Sequence, residues 1–143
     1  MAVDRRRNPP RVIVARPVVA LDTNALMLPV EAGVRPFDEI ERLLGNTDTV
    51  VPRAVVSELD RLIDHGSPKE VAAARVGRQL AEEWCRPIGR KVTAADREIE
   101  RLARSGALDY VVTNDRALRG QILGACIPVI SLRGQAQLEV IRP

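Results

Sequence analysis

Aromatic side chains are almost missing from this sequence: one Phe, one Trp and one Tyr in 143 residues. That shortage argues against a protein that grips single strands mainly by stacking bases on rings, because each stacked base needs a ring beneath it. Histidine is represented by His65 alone, and the two cysteines, Cys85 and Cys126, have no CxxC spacing. A zinc centre is therefore not expected, and both cysteines are read as core thiols. Lysine occurs only as Lys69 and Lys91, and no GxxxxGK phosphate loop is present. No apolar run reaches the roughly 20 residues of a membrane span. The N-terminus has charge but no apolar stretch followed by a small-residue cleavage site, so a cytoplasmic protein with no membrane partner is expected.

What is present fits one globular domain. Apolar residues make up 45% and charged residues 29%, and 143 residues bury one core with little left for a second. The apolar stock is nearly all Val, Ile, Leu and Ala, which suits parallel strands buried between helices. The formal charge of +3 is unevenly spread. Within residues 1–16, Arg5, Arg6, Arg7, Arg11 and Arg16 face only Asp4, a local charge of +4 that leaves the rest at −1. Residues 1–16 thus read as a basic arm and residues 17–143 as the domain. Two readings of the arm stay open: a phosphate-backbone contact, through Arg5, Arg6, Arg7 and Arg11, or a solvated tail.

Along the chain, short apolar runs alternate with longer helical patterns. Val18 to Leu21 reads as a first strand ending at Asp22. Pro36 to Leu44 sets Phe37, Ile40, Leu43 and Leu44 on one helical face, and Gly45-Asn46 ends it. Thr49 to Val51 is a strand stopped by Pro52, and Val55, Leu59, Leu62 and Ile63 mark the next helix. Ser67-Pro68 opens another, with Val71, Ala74, Val76, Leu80 and Trp84 on its expected buried side. A Pro- and Gly-punctuated connector, CRPIGRKV, leads to Thr93, which with Asp96 resembles a capping box. Ile99, Leu102 and Ala103 continue that helix. Tyr110 to Val112 is a strand, Arg116 to Leu123 a helix, and Ile127 to Leu132 the last strand. Crossovers of this length predict parallel pairing: a three-layer α/β/α sandwich on a mainly parallel sheet of four to five strands.

The acids fall where such a fold gathers ligands, at the carboxyl ends of strands. Asp22 ends the first strand and Asp115 follows YVVTN. Two carboxylates on one sheet edge repel unless a cation lies between them. Asp96 in the first turn of its helix and Glu58 within VVSELDRL can complete the cluster. An oxygen-only set without His or Cys selects Mg²⁺ or Mn²⁺ over zinc and suits phosphodiester hydrolysis. Each acid has a plainer reading. Asp115 can be an N-cap, Asp96 a partner of the helix dipole, and Glu58 an exposed carboxylate paired with Arg53 or Arg61. Singly, the plain readings win; as a set of four, the site does.

These segments carry a resemblance to PIN-domain nucleases. VVALDTNAL resembles the family's first motif, VPRAVVSELDRL its second, TAADREIERLA its third, and YVVTNDRALR followed by IPVISL its fourth. The resemblance spans residues 18–133 and rests on four motifs in order. It implies that Asp22, Asp96 and Asp115 contact a metal directly and Glu58 directly or through water. It also implies that Asn24, Thr113 and Asn114 support them. The implied reaction is endonucleolytic hydrolysis of RNA, leaving 5′-phosphate and 3′-hydroxyl ends. A homodimer is implied as well. TNDRALR with a proline-led last strand is similar to the small-subunit ribosomal RNA processing members, which implies a ribosome-assembly partner. VapC-type toxins, which are blocked by an antitoxin, stand next. Where the processing members carry two adjacent aspartates, this chain has Asp96 followed by Arg97, and two readings of Arg97 stay open: a contact to the scissile phosphate, or a side chain facing solvent. Other classes fit less well. Haloacid-dehalogenase phosphatases want an aspartate where Asn24 stands, and a lysine near the site; response-regulator receivers need a lysine after the last strand. A non-cutting RNA- or protein-binding module on the same fold remains, although a pure binder gains nothing from acids gathered near phosphates.

Overall fold

The computed structural model describes residues 15–143. Six strands form one sheet in the order β3-β2-β1-β4-β5-β6. They are β1 (Val18–Leu21), β2 (Asp48–Pro52), β3 (Arg86–Ile88), β4 (Tyr110–Val112), β5 (Val129–Arg133) and β6 (Gln137–Ile141). Neighbours from β3 through β5 pair parallel, and only β6 runs antiparallel, against β5. Six helices connect or flank them: α1 (Thr23–Ala32), α2 (Pro36–Leu44), α3 (Arg53–His65), α4 (Pro68–Trp84), α5 (Ala95–Arg104) and α6 (Arg116–Gly124). Consecutive strand residues point to opposite faces, yet Val19, Ala20 and Leu21 are all fully buried, so helices cover both faces of the sheet. The expected α/β/α sandwich is the observed one.

The sheet is wider than the four to five strands read from the sequence. β3 lies inside the connector, where Pro87 and exposed neighbours hide it; proline is tolerated there because β3 is an edge strand. β6 returns as a hairpin from β5 after the turn at Gly134, whose φ of +65° suits glycine. Helix α1 is also additional. It follows Asp22 directly, contains Pro29, and is apolar on nearly every side, so it has no amphipathic stripe to reveal it.

Two packing expectations are corrected. The buried side of α4 consists of Ala73, Ala74, Gly77 and Ala81, whereas Val76 and Trp84 are exposed. The small residues win the contact because α1 crosses there at close range: a Cβ on Gly77 would stand 2.8 Å from the carbonyl oxygen of Leu26. The larger Val76, Leu80 and Trp84 instead line an open hollow of about 500 Å³ with Pro29, Phe37 and Ile40, where Phe37 stacks on Trp84 at 5.9 Å. Cys126 is exposed rather than a core thiol, in a turn with φ +63°; Cys85 is half-buried, and burial pushes its thiol up to about 12. Among the described residues no helix is long and apolar enough to cross a membrane.

Candidate active site

The strand order reverses between β1 and β4, and these two neighbours deliver the first and last acids. β1 ends at Leu21, and the backbone N–H of Asp22 still bonds Val112 O on β4 at 3.2 Å. Asp22 then caps α1, its Oδ1 accepting from Ala25 N at 2.8 Å. Across the switch point Asp115 caps α6, its Oδ1 accepting from Leu118 N at 3.0 Å. The N-cap reading of Asp115 is thus correct. It does not compete with the site: capping fixes the carboxylate at the end of β4 with one oxygen engaged.

Thr113 joins the two. Its hydroxyl donates to Asp22 Oδ2 and accepts from the backbone N–H of Asp115 at 3.0 Å. Asn114 does not line the cleft. Its Oδ1 accepts from Leu132 N at 2.8 Å and so ties the β4–α6 loop to the end of β5.

Asp22, Glu58, Asp96 and Asp115 line a single cleft of about 170 Å³ together with Thr23, Asn24, Ala95, Ile99 and Leu118. Glu58 comes from the middle of α3 and is half-buried. Its suggested partners are engaged elsewhere: Arg53 donates to Gly89 O at 2.9 Å and Arg61 to Thr93 O at 3.5 Å. Asp96 lies in the first turn of α5. The Thr93 capping box does not form, because α5 starts two residues later with Ala94 as an uncapped N-cap, and Asp96 Oδ1 accepts instead from Arg97 N at 2.9 Å. Thr23 is buried in the cleft wall, a hydroxyl not singled out from the sequence although it stands in the DTN segment. Arg97 is exposed and outside the lining. Arg5, Arg6, Arg7 and Arg11 lie outside the described residues. The arm joins the domain at the opposite, amino edge of the sheet, where Pro17 O accepts from Asp48 N at 2.8 Å.

The electrostatics centre on Asp22. Burial pushes its carboxyl up to about 7, against the lowering effect of the Thr113 and Ala25 hydrogen bonds, and the charges of Asp115 and Glu58 raise it further. A carboxylate so crowded needs a proton or a cation. The donor set on the cleft wall is all oxygen apart from the Asn24 amide, the chemistry of a hard divalent ion. Among the described residues no three acids, cysteines or histidines are already close enough to hold a metal ion together. The four acids thus share one cleft, which they line together, without forming a closed cage.

A buried carboxylate beside this site was not foreseen from the sequence. Glu98, two residues after Asp96 in α5, is 1% exposed. It is gripped by Arg101 through Nε and Nη2 at 2.7 and 2.8 Å, and it accepts from the backbone N–H of Arg90. These partners hold its carboxyl down to about 2. The Ile99 side of α5, packed in the core, was the legible signal; a glutamate on the adjoining position gave none.

Comparison with known proteins agrees with this architecture. The solved structure of the PIN domain endonuclease Utp24 superposes with a TM-score of 0.69, covering 88% of this chain and 92% of that one at 22% identity, a likeness of fold. No curated protein matches the sequence. Residues 19–135, which hold all four acids, match the family model of the PIN-like domain, and the chain belongs to that family.

Proposed function

We propose that the protein is a divalent-metal-dependent endoribonuclease that hydrolyses RNA phosphodiesters in the cleft between β1 and β4. The observation that carries this reading is the convergence of Asp22, Glu58, Asp96 and Asp115 from four separate elements on one cleft, with the buried Asp22 short of a counter-charge. Family membership supports nuclease chemistry. Asp22, Asp96 and Asp115 would hold Mg²⁺ or Mn²⁺ directly and Glu58 directly or through water. When bound, the ion would supply Lewis-acid activation of the attacking water and neutralise charge on the phosphodiester.

The chain's own groups do the rest. Thr113 keeps Asp22 Oδ2 and the Asp115 backbone in fixed relation, so that the two carboxylates face one volume. Thr23 and Asn24 offer a hydroxyl and an amide to waters on the cleft wall. In the reaction, a water oxygen bonds to phosphorus as its proton passes to a cleft carboxylate. The bond from phosphorus to the 3′ oxygen breaks, and that oxygen takes a proton from solvent. The products are a 5′-phosphate and a 3′-hydroxyl. Of the roles suggested by sequence motifs, ribosomal RNA processing is favoured over a toxin by the TNDRALR segment and the proline-led last strand. A homodimer, an antitoxin and a ribosome-assembly partner form no part of the proposal.

The test is incubation of end-labelled RNA with the protein and Mg²⁺ or Mn²⁺, with chemical identification of the new ends. Internal cuts bearing 5′-phosphates, abolished by chelator and by Asp96→Asn, are expected. Cutting that leaves 2′,3′-cyclic ends, or that persists in chelator, would overturn the reading.

A further inference from the structure

Because β1 to β5 are mutually parallel, their carboxyl ends share one edge, and the charges along that edge are ordered. Reading across from β3, the edge carries Arg90 and Lys91 beyond β3, Arg53 beyond β2, Asp22 beyond β1, Asp115 and then Arg116 beyond β4, and Arg133, 3.9 Å from Glu139, at the end of β5. Neighbouring strands lie about 4.8 Å apart, so Arg53 starts about one strand spacing from Asp22's strand and the Arg90 loop about 10 Å from it. The amino edge is different. There Arg86 pairs with Asp48 at 2.7 Å, and Asp109 accepts from Val18 N at 2.8 Å. On the carboxyl edge Arg53 and Lys91 have no carboxylate partner among the described residues, and Arg90 is 63% exposed with only a 3.4 Å contact to Glu98.

The loop bearing Arg90 and Lys91 has a defined shape. Gly89 takes φ +72°, and a Cβ there would stand 2.6 Å from Glu98 Oε2. The buried Glu98 carboxylate accepts from Arg90 N. Arg53 bonds Gly89 O and Arg61 bonds Thr93 O, which fastens the loop near both ends. The backbone is held from inside while both cationic side chains are left on the surface.

We infer that Arg53 and the Gly89–Lys91 loop form a phosphate-binding rim that holds the RNA backbone on the β2–β3 side of the acidic cleft. This rests on the nuclease reading. It places an RNA contact at the edge where the acids stand, beside the contact read from the sequence for the arm. A polyanion laid across the strand ends meets guanidinium and ammonium groups before it meets carboxylates, so its flanking phosphates are gripped where the scissile one must be brought against like charge. An extended backbone, a few ångströms per phosphate, matches the one- to two-strand interval between the rim and Asp22.

The experiment measures binding of a fluorescent oligouridylate to the full chain carrying Asp22→Asn, over a salt series. Arg90→Ala/Lys91→Ala is compared with Lys69→Ala/Arg75→Ala, an exposed pair on α4 that removes the same charge. Each lost phosphate contact reduces the slope of log K against log salt by about 0.7 on a single strand, so the rim pair should flatten it by about 1.4 and weaken binding roughly tenfold or more near 0.1 M salt. The α4 pair should change both far less. Equal behaviour of the two pairs, or no binding by the Asp22→Asn chain itself, would overturn the rim. Because this reads affinity rather than cutting, a failed rim leaves metal-dependent cleavage to be judged by its own assay, and a rim found in a protein that never cuts would sink the nuclease reading alone.

Discussion

The hydroxyl of Thr113 donates to Asp22 Oδ2, 91 residues away in sequence, while it accepts from the backbone N–H of Asp115. One side chain thus couples the acid at the end of β1 to the acid beyond β4. Thr113→Val keeps the shape and deletes both bonds. It leaves a buried carboxylate oxygen without its donor, which costs about 1–3 kcal/mol of stability. Cleavage at saturating metal should fall by about tenfold or more, and Thr113→Ser should recover most of it. Denaturant unfolding and single-turnover cleavage of the three proteins check this. Full activity in Thr113→Val would show that the coupling is incidental.

The pH dependence follows from Asp22, whose carboxyl is raised by burial from 3.8 to about 7. A raised acid binds its proton more tightly folded than unfolded, so its contribution to stability is present at low pH. That contribution is lost as pH rises from about 4 to about 7. The loss is at most about 4 kcal/mol at 1.36 kcal/mol per pKa interval of one. Without metal, the wild type should therefore unfold more easily at pH 8 than at pH 5, and Asp22→Asn should flatten this slope. Adding Mg²⁺ or Mn²⁺ should restore stability at pH 8 in the wild type only. Thermal melts across pH with and without metal decide the matter.

Glu98 has the opposite sign. Arg101 and the Arg90 N–H hold its carboxyl down to about 2, so its contribution is full above 4.5 and fades as pH falls toward 2. Glu98→Ala should destabilise the fold by about 2 kcal/mol at neutral pH, less than for a sealed ion pair because both arginines reach solvent. The same substitution should increase amide exchange at residues 89–92, which Glu98 fastens. Unchanged exchange there would refute its role in shaping the loop.

Two helical glycines should respond in opposite directions to alanine. At Gly77 a Cβ meets Leu26 O at 2.8 Å and Leu26 C at 3.0 Å, so α4 must back away from the helix that Asp22 caps. Gly77→Ala should cost about 1–3 kcal/mol through overpacking. Gly120 in α6 has nothing within 4 Å, and Gly120→Ala should gain about 0.5–1 kcal/mol in helix propensity. Equilibrium unfolding of both variants separates the two effects.

The parts of the molecule legible from sequence were those written in patterns of the right length. The runs ending at Asp22 and Asn114 are buried on both faces, so they stand out as unbroken apolar stretches. Both acids follow from where those runs stop. Glu58 and Asp96 could be placed on helices whose apolar spacing is clear. Helix α1 was invisible because its surroundings are apolar on nearly every side, and β3 because three residues with a proline read as a loop. The facing of α4 departs from its sequence pattern for a different reason. Burial there is decided by how closely α1 approaches, which selects Ala73, Ala74, Gly77 and Ala81 over bulkier neighbours. Glu98 and the Gly89–Lys91 loop depend on a contact between two segments that neither one announces alone.

The decisive measurement is cleavage of a labelled structured RNA in Mg²⁺ or Mn²⁺ by the wild type, Asp22→Asn and Asp115→Asn, with folding of each checked by its melting transition. Metal-dependent cutting by the wild type, lost by at least about a hundredfold in both folded variants, is the expected result. Equal cutting by all three proteins, or no cutting by a wild type that binds both metal and RNA, would contradict it.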